Sequence, residues 1–149
     1  MQLGDYLNKD YVLADLKAAG KQEVLRELIA PLAAGEPDFD AEAATRVLLE
    51  REGLGTTGIG DGVAIPHGKL EALERVILVV GRSHEGVEFD ALDHKPCRIF
   101  FLVLAPEQVA GLHLRLLAHI SRLLKDEAFR QSFMEADDAQ ALWELLRLA

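Results

Sequence analysis

Apolar residues recur along this chain in two rhythms, and together they divide it into helices and strands. From Lys21 to about Ala34, Val24, Leu25, Leu28, Ile29 and Leu32 recur at i, i+1, i+4, i+5 and i+8, one face of a helix. Pro31 weakens its last turns by removing a hydrogen bond, and Gly35-Glu36-Pro37 ends it. Asp40 is the expected N-cap of a second helix that runs to about Glu52 and buries Ala44, Val47 and Leu48. Arg75 to Gly81 carries Val76-Ile77-Leu78-Val79-Val80, an unbroken apolar run that predicts a central strand buried on both faces. Arg98 to Ala105 reads the same way, closed by Pro106, and Gly62 to Ile65 predicts a shorter strand. Leu3 to Asn8 reads as a helical turn and Tyr11 to Leu16 as a loosely alternating first strand, while Ser83 to Pro96 is a polar surface connection. Gly111 to Lys125 is the strongest helix, with a stripe of Leu116, Leu117, Ile120, Leu123 and Leu124 that also takes in His113. Two shorter helices follow, Glu127 to Glu135 and Asp138 to Leu148. The second is capped at Asp137 or Asp138 and buried through Leu142, Trp143, Leu145 and Leu146. Interleaved helices and strands predict an α/β class, one layered domain over residues 1–149 with a mixed sheet of about five strands and helices on both faces.

Size and charge narrow the functional field. A domain of 149 residues buries roughly 70% of the surface its unfolded chain exposes, enough for a real core. With 25 acidic against 16 basic residues the net charge is −9, which argues against a nucleic-acid partner. The opening residues mix Gly, Asp, Asn and Lys with leucines, so no membrane insertion or signal peptide is expected and the chain reads as cytoplasmic. The single cysteine, Cys97, rules out an internal disulfide and suits a buried structural position.

The stretch from Glu50 to Lys69 is where chemistry concentrates. Glycine loops expose backbone N–H groups that hold anions, and this one ends on His67, set between Pro66 and Gly68. Arg51 offers a planar guanidinium for phosphate oxygens, and Thr56 and Thr57 add hydroxyl donors beside Gly58. Gly53 to Gly58 also satisfies G-x-G-x-x-G, but a helix precedes it and Gly60-Asp61-Gly62 follows. The strand-loop-helix context of a dinucleotide site is therefore missing, and no cofactor is expected. His84, Glu88, Asp90, Asp93 and His94 fit no closed metal-ligand spacing and read as a solvated loop, so no metal is expected. On pattern alone each candidate keeps a plain alternative. His67 reads equally as a surface histidine after a turn, His113 as a boundary residue of an apolar helix face, and Arg51 as a solvated helix-end charge.

Three segments resemble a known family. Glu50-Arg51-Glu52 with Gly55-Thr56-Thr57-Gly58-Ile59-Gly60 and Val63-Ala64-Ile65-Pro66-His67-Gly68 is similar to the signature of enzyme IIA components of the bacterial phosphotransferase system, of the fructose/mannitol and nitrogen-regulatory types. Phe89-Asp90-Ala91-Leu92-Asp93 and the helix opening at Leu112-His113-Leu114 match in order and spacing, so the resemblance covers nearly the whole chain. It implies a phosphotransferase/anion transport protein-like fold and a phosphoryl carrier. His67 would be phosphorylated, at Nε2, by a histidine phosphocarrier protein of HPr or NPr type. His113 would donate to the phosphoryl group, Arg51 would be the active-site arginine, and Asp90 would orient a neighbour. The onward partner would be a regulatory target or a IIB component. The run Ile65-Pro66-His67-Gly68-Lys69-Leu70 resembles the nitrogen-regulatory branch more closely, with a sugar-specific IIA or a non-phosphorylated interaction module as the alternatives. Two positions depart from the family: Asp61 stands where many relatives have asparagine, putting a carboxylate near the expected phosphate, and Thr56 stands where serine is common.

Overall fold

The computed structural model describes residues 1–149 apart from the side chain of Ala110. After a 3-10 turn at Leu3–Asp5, the order is β1 (Leu7–Leu13), α1 (Lys21–Gly35), α2 (Ala41–Gly53), β2 (Gly58–Gly60), β3 (Val63–Ala64), β4 (His67–Lys69), β5 (Ile77–Val87), β6 (Cys97–Ala105), α3 (Ala110–Lys125), α4 (Glu127–Glu135) and α5 (Ala139–Leu146). Six strands form one mixed sheet in the order β1-β5-β6-β3-β2, with β4 also on β6. β1 runs parallel to β5 and β5 antiparallel to β6, while β3 and β4 both run parallel to β6.

Alternation along β5 shows how the layers sit. Successive side chains of a strand point to opposite faces. A methyl group at Gly81 would lie 2.7 Å from Leu28 of α1, whereas the Arg82 guanidinium donates to Phe133 O of α4. α1 therefore covers one face and α4 the other. Residues paired across the ladder share a face, so Val80↔Phe101 and Gly81↔Phe100 extend the assignment to β6. Accordingly, Phe101 packs on Phe133 of α4, and Phe100 meets Phe89 on the α1 side. With both faces covered, Ile77 to Val80 and Ile99 to Ala105 are all buried, each large aliphatic side chain contributing about 1.5–3 kcal/mol.

The helices follow the sequence pattern closely because their caps are written locally. Asp40 accepts from Ala43 N and Asp138 from Ala141 N. α1 continues through Pro31 to Gly35. The strands required three corrections. β1 spans Leu7–Leu13 rather than Tyr11 to Leu16, because this edge strand exposes Asn8, Lys9 and Asp10 and shifts register between Leu7 and Val12. β5 does not stop at Gly81. It carries the polar residues Arg82 to Gly86 on to Val87, held by backbone pairing with β6 as far as Cys97. The expected Gly62 to Ile65 strand is one part of a longer path that also includes β2 and β4.

Candidate functional site

β3 and β4 are one strand in two pieces. Val63↔Ile99, Ala64↔Phe100, His67↔Val103 and Lys69↔Ala105 keep a single offset along β6. The interruption falls at Pro66, which has no N–H to give but whose carbonyl still accepts from Val103 N at 2.9 Å. His67 thus stands half-buried at the start of β4. Its Nδ1 lies 2.9 Å from Ile65 O. A carbonyl oxygen only accepts, so in the neutral ring Nδ1 carries the proton and Nε2 holds the lone pair. α2 comes down directly on this strand: a Cβ at Gly68 would lie 2.6 Å from Val47 Cγ1, an approach only glycine permits. Arg51 follows Val47 by one helical turn on the same side of α2, and its Nη1 donates to Gly55 O at 2.9 Å.

His113 reaches the site from the other direction. It sits in the first turn of α3, and its ring centroid is 5.8 Å from that of His67, edge to face at 76°. The residue is only 5% exposed, and its Nε2 has no hydrogen-bond partner among the described residues. Burial above all, then the neighbouring His67 and Lys69, pushes its pKa below the ordinary histidine value. Lys69 lies two residues beyond His67 and therefore on the same face of β4. Val109 gives α3 no side-chain cap, and no acidic residue stands in the first turn. An imidazole with a free lone pair, a dry unpartnered nitrogen and an uncapped helix N-terminus converge there, a setting that favours an anion.

The glycine loop is built differently from the open amide cradle its composition suggested. Thr57 N donates to Glu52 Oε1 at 3.0 Å and the Thr57 hydroxyl to Glu52 Oε2. Thr56 Oγ1 donates to Phe89 O at 3.3 Å and accepts from Gly58 N at 3.1 Å, while Gly55 N is taken by Glu52 O. These donors turn inward, because a loop packed on a sheet edge has to satisfy its own polar groups. Gly58 is buried against Ala91. Asp90 is exposed at a positive φ of 54°, between buried Phe89 and Ala91. Asp61 is also placed differently from the expectation. It shares the β2–β3 turn with Gly62, at φ 57° and 75°, the Asp-Gly type I′ pattern. From Val63 to His67 the extended chain covers about 13 Å, and Asp61 lies beyond Val63, so its carboxylate is remote from the imidazole. Two neighbours of the site escaped the sequence reading. Lys69 was detectable from its spacing of two from His67, whereas the partnership of Glu52 with Lys21, at 3.2 Å, joins positions with no local signal.

Known proteins resemble this chain over most of its length. A nitrogen regulatory protein of Bradyrhizobium diazoefficiens is 40% identical over 148 residues, covering 99% of this chain and 96% of that one. A fructose-specific EIIA component of Haloferax volcanii is 42% identical over 113 residues, 76% of this chain and 73% of the relative. Among solved structures, the nitrogen regulatory protein IIA-Ntr of Neisseria meningitidis superposes with a TM-score of 0.90 at 30% identity, over 97% of this chain and 98% of that one. Residues 5–148 match the model of the phosphoenolpyruvate-dependent sugar phosphotransferase system EIIA 2 family, and it is to this family that the chain belongs.

Proposed function

We propose that the protein is a phosphoryl carrier, a cytoplasmic phosphotransferase that accepts a phosphoryl group on His67 from a histidine phosphocarrier protein of HPr or NPr type. One observation carries this reading: His67 Nδ1 lies 2.9 Å from a carbonyl oxygen, which leaves Nε2 as the nucleophilic nitrogen, beside a buried histidine whose Nε2 has no partner among the described residues. The Nε2 lone pair of His67 attacks the phosphorus of the donor's phosphohistidine. A P–N bond forms as the donor's P–N bond breaks, and each imidazole keeps the proton on its other nitrogen. No general acid or base is consumed, so positioning and charge stabilisation dominate the rate. His113 gives an N–H to the transferred group, the α3 N-terminus adds its dipole, and Arg51 moves from Gly55 O to the phosphoryl oxygens. Thr56, Thr57 and Gly58 hold the loop through the inward bonds described above, and Asp90 lies at its margin.

The regulatory role is favoured by the relatives named nitrogen regulatory protein. Roughly two added negative charges at a dry site are enough to make or break an interface with a target. The fructose-specific relative supports the second reading, delivery to a IIB component. Incubation with a phosphorylated histidine phosphocarrier tests the proposal. The expected label is acid-labile, alkali-stable and absent from His67→Ala; a folded wild-type protein that takes no label refutes it. Onward transfer of that label to a IIB domain would favour the sugar-specific role over the regulatory one.

A further inference from the structure

Glu52 is an unusual residue for its place. It lies in the last turn of α2, next to Arg51, yet its side chain is buried where a solvated helix-end charge would be ordinary. Its carboxylate accepts two hydrogen bonds, from Thr57 N at 3.0 Å and from the Thr57 hydroxyl, and forms an ion pair with Lys21 Nζ at 3.2 Å. Lys21 opens α1, where a cation opposes the helix dipole, and it is held over the Phe89 ring at 4.7 Å. A buried ion pair is a poor device for stability alone, since apolar residues of similar volume usually serve as well. What it provides is direction.

That direction leads to the imidazole. Thr57 O accepts from Ile65 N at 3.0 Å, and Ile65 O accepts from His67 Nδ1 at 2.9 Å. A series of hydrogen bonds therefore runs from Glu52, itself paired with the Lys21 ammonium, through Thr57 and Ile65 to the ring. The series is needed because β2 is a three-residue strand at the edge of the sheet, with no further strand beyond it. Glu52 grips Thr57 where the β2–β3 ladder gives way to the glycine loop, and so fixes the position of the Ile65 carbonyl. We infer that Glu52 is a positioning residue for His67, one that holds the imidazole in the Nδ1–H form and thereby determines that Nε2 is the nitrogen phosphorylated. The inference rests on the phosphoryl-carrier reading for its consequence, but the state of the ring is measurable without any phosphoryl donor.

The experiment compares wild type with Glu52→Ala, Glu52→Gln and Thr57→Val. Imidazole ¹⁵N shifts of His67 report the tautomer, ³¹P shifts report the phosphorylated nitrogen, and labelling kinetics report rate and apparent KM for the phosphorylated carrier. Glu52→Ala is expected to change a single tautomer into a mixture and to slow labelling about ten- to hundred-fold, the scale of a slightly misplaced reacting group. Apparent KM is expected to hold, because Glu52 is too buried to touch the donor. Thr57→Val loses only the hydroxyl and should fall between. Glu52→Gln keeps an acceptor for Thr57 N and a donor for the Thr57 oxygen, so it should retain the wild-type tautomer and label within about threefold of wild type. If Glu52→Ala does not fold, Thr57→Val decides. Folded variants that lose stability but keep a pure Nδ1–H ring overturn the inference. A wild type with a pure Nδ1–H ring that takes no label overturns the carrier reading instead, and leaves Glu52's hold on the ring to be judged by the tautomer shifts.

Discussion

Among the described residues two charged side chains are buried in this apolar fold, and they are held in opposite ways. Arg82 is 1% exposed and has no carboxylate partner among the described residues. It donates to Ala14 O at the end of β1, and to Phe133 O and Ala136 O at the C-terminal end of α4. Three carbonyls from two layers, two of them at the negative end of a helix, satisfy it. Glu52, 7% exposed, is held by a cation and by one residue of a loop that leads to the candidate nucleophile. Arg82 joins secondary-structure elements that are far from His67, and its effect is on the stability of the fold. Glu52 joins a helix to an edge, and its effect is on geometry. Buried charge alone is therefore no guide to function; what the charge is bonded to is the guide.

The largest effect that would sharpen this contrast belongs to Arg82. Arg82→Met leaves three buried carbonyls without their donor, and urea unfolding should show a loss of about 3–5 kcal/mol. The surviving folded fraction should keep the His67 ring in its wild-type tautomer. Mixing of that tautomer would break the contrast, since it would mean that the two anchors belong to one mechanical unit.

The same difference explains what was legible in the sequence. Helix ends were legible because Asp40 and Asp138 act within three residues of themselves, on Ala43 and Ala141. His67, His113 and Arg51 stood out through the type of residue and its setting, and the structure brings the two histidines together. The extent of β5 was hidden, because Arg82 to Gly86 has the composition of a loop and becomes a strand only through pairing with β6. The direction of the threonine donors was hidden for a related reason. Thr56 and Thr57 carry the right groups for an anion, but their partners, Phe89 O and Glu52, are chosen by tertiary packing. Lys21 and Glu52 carry no periodic or motif signal that links them.

A smaller effect is expected at His113, a buried polar group whose Nε2, unlike either anchor, lacks a partner among the described residues. Its pKa lies below the ordinary value near 6.5. Between that value and the lower folded one, the unfolded chain binds a proton that the folded chain does not. Stability is therefore full above about pH 6.5 and declines as the pH falls through this window. His113→Leu should remove this contribution and be neutral or stabilising by up to about 1 kcal/mol at neutral pH, while slowing phosphorylation. Phosphorylation of His67 should act in the opposite direction, raising the His113 pKa by placing an anion beside it, as ¹⁵N titration of the two states would show. An unshifted His113 in the phosphorylated protein would separate it from the transferred group.

The smallest expected effect is at Asp61, which tests whether place outweighs charge. Its carboxylate at first sight opposes an incoming phosphoryl group. Yet it occupies a type I′ turn at φ 57°, a conformation asparagine and aspartate both accept, and the strand from Val63 to His67 keeps it more than about 13 Å from the imidazole. That exceeds the screening length of about 8 Å at physiological ionic strength. Asp61→Asn should thus change stability by no more than about 0.5 kcal/mol and the labelling rate by less than about twofold. A rise of tenfold at physiological salt would mean that the turn's charge reaches the phosphoryl group after all. The site would then be governed by its field as well as by the bonds that orient His67.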